Sequence, residues 1–244
     1  MKTKTKYLVE EITNFLGFIE ILDSFGDINP FELSLFRGQD CDEPLLPKLA
    51  RYKGIRDKRR FENDLFKKFK KHSLSYINNS FNSDWDYLSL AQHHGLPTRL
   101  LDWTENPLIA LWFAVKSDNI KSEYAVVWQF DPPTEDIIGS DEQASPFEGE
   151  RTKIYNPNHI SDRIKVQSGW FTAHKYIAKS RRFVPLEKNI RYSDCLFKFI
   201  IAKKLFPEIR VKLNHMGINA STIFPDLDGL CQYLAWSNLK AERF

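Results

Sequence analysis

From Pro107 to Val115 the chain reads PLIALWFAV. A helix made from this run is apolar nearly all round, so it has to be enclosed by other elements. Proline fits the first turn of a helix, and Thr104 stands just ahead of it as a candidate cap. The run is far shorter than the ~20 apolar residues that a membrane span requires. Directly before it comes LAQHHGLPTRLLDWT, Leu90 to Thr104, which holds His93, His94, Thr98, Arg99 and Asp102. A core strand does not need those hydrogen-bonding groups, and a surface loop does not need the apolar run. The combination describes a polar cluster held at the edge of a core, which is how binding sites are usually built.

The rest of the composition supports one core of ordinary size. The chain has 244 residues, 42% of them hydrophobic, which suffices for one full core. A net charge of +3 is too mild to argue for nucleic acid by itself. Cys41, Cys195 and Cys231 are far apart and odd in number, with no zinc-like spacing. A disulfide framework is therefore not expected, and a reduced cytoplasmic setting is. The opening MKTKTKYLVEEITNF lacks the unbroken apolar core of a secretory signal.

Periodicity predicts the elements. Leu8, Ile12, Phe15, Leu16, Ile19 and Leu22 fall on one helical stripe, so residues 1–30 read as a helical extension. FELSLFRGQ alternates as a short strand that reaches Arg37 and Gly38. Helices are expected over about 56–79 and from Asp84 to His93, the second capped by Ser83. Strands are expected at 123–131, around DRIKVQSGWFTAHK and at LFKFIIAKK, with residues 132–162 as a long irregular connection. A helix ending near Gly217 and another over 226–243 complete the chain. Strands and helices alternate too irregularly for a doubly wound sheet. The expected fold class is α+β, a mixed or antiparallel central sheet flanked by helices.

LFRGQ, LLPKLAR, AQHHGLPTRLLDWTENPLIALWFA, RIKVQSGWFT and IFPDLDGL together resemble the FRG domain family, named for its Phe-Arg-Gly motif. The resemblance runs from about Phe31 to Leu234 and implies a single domain over 1–244, of bacterial or phage type, some relatives being toxins or defence effectors. The pattern is also similar, more distantly, to ADP-ribosyltransferases. Such enzymes place an Arg or His on a first core strand, a Ser/Thr/Tyr motif on a second, and a Glu or Gln on a later one. That likeness implies an effector that takes NAD as substrate and transfers ADP-ribose to a macromolecular target, or cleaves NAD. The departure is the missing third-strand Glu. Gln167 is the nearest substitute, and Glu148 and Glu150 fall in a polar stretch.

Each candidate also has a physical reading of its own. Arg37 could grip a diphosphate through its guanidinium fork, with Gly38 allowing close approach and Gln39 beside them, or it could be a surface arginine paired with Asp40 or Asp42. Of the two histidines, His93 fits a helix C-terminal cap and His94 a ligand contact or proton carrier. Thr98 would line the same pocket. Asp102 reads either as a catalytic carboxylate or as a structural partner of Arg37 or of the following helix. Arg163 offers a second anion contact, Gln167 a ribose or amide contact, and Trp170 and Phe171 stacking surfaces. No third ligand joins the histidines, so no metal is expected. The alternative function is nucleic-acid binding or cleavage through the basic region 48–72, where Tyr52, Phe61, Phe66 and Phe69 interleave with Lys and Arg. A solvated helix is the plainer reading of that region.

Overall fold

The structure is a computed structural model that describes residues 7–26, 33–77, 81, 83–117, 120–139, 144–157 and 166–241. Among the described residues ten strands form: β1 Leu8–Ile12, β2 Leu35–Gln39, β3 Leu100–Thr104, β4 Tyr124–Phe130, β5 Ile137–Ile138, β6 Lys153–Tyr155, β7 Gly169–Ala173, β8 Tyr176–Ile177, β9 Arg182–Phe183 and β10 Leu196–Ala202. The helices are α1 Phe15–Gly26, α2 Lys48–Arg51, α3 Lys58–Ser73, α4 Asp84–His93, α5 Pro107–Val115, α6 Phe206–His215, α7 Ala220–Ile223 and α8 Leu227–Ala241. Eight strands make one mixed sheet in the order β1-β10-β4-β2-β3-β7-β6-β5, and β8 and β9 pair separately. The fold is α+β.

The sheet is two half-sheets that meet at a narrow seam. Five residue pairs join β2 to β4, and five join β3 to β7. A single pair, Phe36 with Thr104, joins β2 to β3. Because paired residues share a face, Phe36, Asp102 and Thr104 point to one side, while Leu35, Leu101 and Trp103 point to the other. On the first side α1, α5 and α6 pack over β4, β2 and β10 through Phe15, Phe18, Phe36, Val127 and Phe199. Helices α3 and α4 pack over β3, β7 and β6 through Phe66, Trp85, Leu88, Leu100 and Phe171. The second side is covered by chain that brings Leu45, Leu186 and Tyr192 onto Trp103, Trp128 and Trp170.

The apolar run is central, as its composition requires. Ile109, Ala110, Leu111, Trp112, Ala114 and Val115 are all buried in α5. Asn106 caps the helix, its Oδ1 accepting from the amides of Leu108 and Ile109, and Pro107 starts it. Thr104 is not the cap. Its hydroxyl accepts from the Asn106 amide and donates to the Gln167 carbonyl, which fixes the turn that precedes the cap. Helix α5 lies directly on β2 at Gly38. A Cβ there would come within 1.8 Å of the Ala110 carbonyl oxygen and 2.7 Å of the Ala114 nitrogen.

The N-terminal segment departs from its helical stripe. Leu8–Ile12 is an edge strand parallel to β10, and the helix begins only at Phe15. An edge strand followed at once by a helix spaces its apolar residues much as one long helix does. Phe15 and Phe18 lie fully inside the core, so this segment is packed into the fold. Helix α3 is shorter than the expected 56–79, with Asp57 as its cap. The connection over 132–162 contains β5 and β6, too short to read from alternation.

Replacing Gly38 with Ala is expected to destabilise the protein by at least about 3 kcal/mol, the upper part of the range for overpacking, because backbone rather than a side chain would have to move. Gly17→Ala in α1, where a Cβ meets only ordinary contacts at 3.5 Å, is expected to be neutral or to stabilise by up to about 1 kcal/mol. Denaturant midpoints of the two variants check the contrast.

Candidate functional site

Above the seam, between the C-terminal end of α4 and the flank of α5, lies a cavity of about 320 Å³. That is within the range of small-ligand pockets. Arg37, Gln92, His93, Asp102, Thr104 and Gln167 supply its polar groups, and Phe36, Ile109 and Phe113 its apolar wall, with Gly38 and Ala110 at the helix contact and Trp103 at the seam.

Arg37 spans the seam. Its Nη1 donates to the Asp102 carbonyl at 2.8 Å and lies 3.9 Å from Asp102 Oδ2. The Arg37 side chain is 20% exposed, and that of Asp102 is 58% exposed. Burial pulls the Arg37 pKa below its usual value, Asp102 opposes this, and Arg51 adds to the lowering. The guanidinium stays charged throughout the physiological range. Its Nε is buried without a hydrogen-bond partner among the described residues.

Asp102 is held by a short relay from α4. Gln92 Nε2 donates to both Asp102 oxygens at 3.3 and 3.1 Å, and Thr98 Oγ1 donates to Gln92 Oε1 at 2.6 Å. The threonine thus fixes which end of the amide faces the carboxylate. Thr98 also accepts from the Leu100 amide, is 1% exposed, and does not line the cavity. Gln167 donates from Nε2 to the Ile223 carbonyl and lines the cavity from the segment before β7.

The other expected site residues lie elsewhere. His94, not His93, is the C-cap residue of α4 and is exposed, whereas His93 lines the cavity. Gln39 is buried and accepts from Trp128 Nε1 at 3.1 Å on the opposite side of the sheet. Phe171 packs in the core beneath α3 and α4. Trp170 is buried with Trp103 and Trp128. Arg163 lies outside the described residues. The close approach that Gly38 permits is that of α5. Sequence alone marks His93 as a helix cap and does not mark Gln92 or Phe113 as cavity residues. The helical spacing of Ile109, Ala110 and Phe113, one face of α5, is the signal that could have marked that wall.

Arg99, one strand end away, contrasts with Arg37. Its Nε and Nη2 both donate to Glu62 Oε2, its amide donates to Glu62 Oε1, and its Nη1 donates to the Pro146 carbonyl. The two side chains are 4% and 2% exposed. This is a closely bonded buried pair that ties α3 to the start of β3. Nearby, His174 is 1% exposed, and its pKa is lowered to about 4. Burial is the main cause, and the charges of Arg37 and Arg99 add to it against a Val184 backbone contact.

Among the described residues no three His, Cys, Asp or Glu side chains are grouped to hold a metal ion, and no helix is long and apolar enough to cross a membrane. Residues 32–123 match the family model described as FRG domain. The chain carries an FRG domain. Every residue lining the cavity except Gln167 falls within that match. The FRG motif itself, Phe36-Arg37-Gly38, supplies one wall residue, the seam-spanning cation and the helix contact. The sheet extends past the matched residues through β4, β7 and β10. No curated protein and no solved structure matches the chain.

A depressed histidine pKa links stability to pH. The unfolded ring takes up its proton near pH 6.5 and the folded one only near 4. The stabilisation is therefore complete above pH 6.5 and is lost as pH falls toward 4, by up to about 3 kcal/mol. His174→Gln is expected to flatten the dependence of unfolding free energy on pH between these limits relative to the parent protein. Parallel denaturant titrations across that window measure the difference.

Proposed function

We propose that this FRG-domain protein binds NAD in the cavity at the seam and breaks its nicotinamide–ribose bond, passing ADP-ribose to a macromolecular acceptor or to water. The observation that carries the reading is Arg37, a charged side chain in a ligand-sized cavity whose buried Nε has no acceptor among the described residues. A buried donor without a partner costs about 1–3 kcal/mol, a cost that a phosphate or ribose oxygen would remove. The aromatic and aliphatic wall of Phe36, Ile109 and Phe113 suits a planar ring, and Gln167 offers an amide near it. At about 320 Å³ the cavity would take one half of the dinucleotide, leaving the other half toward solvent.

The chemistry needs a place for positive charge. As the C1′–nitrogen bond breaks, its electron pair leaves with neutral nicotinamide and the ribosyl centre becomes cationic. Asp102 is the carboxylate of the cavity, and Gln92 holds it in place. In this reading it stabilises the developing cation and takes the proton of the entering water or acceptor group. It stands in for the third-strand glutamate that the sequence lacks. His93 then takes the ligand-facing role assigned from sequence to His94, because it is the histidine that lines the cavity. An NAD-consuming activity of this kind would suit a toxin or an anti-phage effector.

Calorimetry with NAD on the parent protein and on Arg37→Ala, with nicotinamide release followed in the same samples, tests the reading. Binding should weaken at least tenfold in Arg37→Ala. Asp102→Asn should keep most of the binding and lose at least a hundredfold in nicotinamide release, the scale of one electrostatic or general-base contribution. Absence of binding by the parent protein at millimolar NAD would end the proposal.

A further inference from the structure

The basic region that the cavity does not use forms one side of a second feature. Two further cavities, of about 190 and 360 Å³, share Arg59, Phe147 and Glu148, so they are parts of one continuous groove. Helix α3 forms one bank and residues 145–153 the other. Along α3 the lining positions Arg59, Asn63, Lys67 and Lys70 follow one another at helical spacing. They make a single polar stripe about 16 Å long. Arg151, Lys153 and Lys175 add cations from the other bank and the far end.

The charge of the groove is not the charge of the whole chain. The chain carries a net +3 spread over 35 basic and 32 acidic residues. The groove gathers Arg59, Lys67, Lys70, Arg151, Lys153 and Lys175 against Glu148, Glu150 and Asp84. Glu150 pairs with Lys175 and Asp84 with Lys70, each across a solvent-exposed contact, and Arg151 pairs with Asp136 behind the groove. Aromatic side chains are interleaved with the cations. Phe147 lies half-buried where the two cavities join, and Tyr176 lies at the inner end.

We propose that this groove binds single-stranded nucleic acid, with the α3 stripe following the phosphates. A linear row of cations beside partly exposed rings is the arrangement that single strands use, since phosphates are met in sequence and bases stack on aromatic faces. Arg59 adds the planar fork that grips phosphate in two places. Phe147 packs against Phe66 and Arg99, and Tyr176 against Phe183, so each ring is held in place with part of its surface left open; a base can stack on that open part, whereas an acidic polypeptide would meet only the cations. The site is separate from the cavity at the seam and does not depend on NAD chemistry.

The test is fluorescence anisotropy without NAD, using labelled dodecamers of single-stranded RNA and DNA, with labelled polyglutamate as the competing polyanion. Binding to at least one oligonucleotide is expected, weakening about 50-fold between 50 and 200 mM salt if four phosphates are engaged. The double variant R59E/K67E changes two exposed positions of α3 and should lower oligonucleotide affinity at least tenfold while its NAD binding stays that of the parent. A preference for RNA over DNA, or the reverse, would identify which strand the groove serves. Three results would overturn the proposal: no oligonucleotide binding at 50 mM salt, binding untouched by the double reversal, or polyglutamate bound as tightly as either oligonucleotide.

Discussion

Helix α5 resting on β2 at Gly38 is the contact on which the rest of the site depends. With the Ala110 carbonyl where a Cβ would sit, only glycine lets the helix lie at this depth. Three consequences follow from that depth. The apolar run of α5 is enclosed, Phe36 on the same face enters the core with it, and the flank of α5 becomes a wall of the cavity. Arg37, between the two, is left at the edge of β2 facing the seam. The Phe-Arg-Gly motif therefore joins two requirements in adjacent residues, close packing from the glycine and a positioned charge from the arginine.

The seam explains why a polar site can exist inside this sheet. A regular ladder between β2 and β3 would satisfy the strand carbonyls with strand amides, yet only Phe36 and Thr104 pair. The Asp102 carbonyl instead accepts from Arg37, so a side chain does the work of a missing backbone bond. Beyond it, Thr98, Gln92 and Asp102 form a directed chain that starts at a buried hydroxyl and ends at an exposed carboxylate. The buried end has a defined geometry, and the exposed end is free to meet a solute. Such a gradient from fixed to accessible is what a site built on rigid elements requires.

How much of this the sequence reveals depends on the range of the interaction. Local signals were legible. Ser83 caps α4, Pro107 opens α5, Gly217 follows α6 with a φ of +78°, and each is a choice that short-range sterics and hydrogen bonding dictate. The polar cluster of 90–104 and its attachment to a buried helix were legible for the same reason. Partnerships were not. Whether His93 or His94 turns inward depends on a one-residue difference in helix phase at the end of α4. Gln39 could be a ligand group until Trp128, from a strand 89 residues away, is found donating to it. The strand at Leu8–Ile12 owes its existence to β10, nearly two hundred residues on, and nothing local distinguishes it from the first turn of a helix. The seam, a property of two strands failing to pair, leaves no mark on either strand alone.

Arg37 and Arg99 show what decides between a structural and a functional arginine. Each follows a short apolar or turn segment, and each sits beside a strand end in the same region. Each of the three Arg99 guanidinium nitrogens has an acceptor, with Glu62 providing a full counter-charge and Pro146 a further acceptor. Breaking that pair would leave a buried charge uncompensated at about 3–5 kcal/mol, so its worth is to stability. Arg37 has a backbone carbonyl, a carboxylate held at 3.9 Å and a buried Nε with no acceptor among the described residues. None of the described residues completes its shell. An anion entering the cavity would gain the attraction of that charge without first displacing a close protein ion pair, and the desolvation of Arg37 has already been met in folding. Arg99 offers an incoming anion neither advantage, because Glu62 would have to be displaced first.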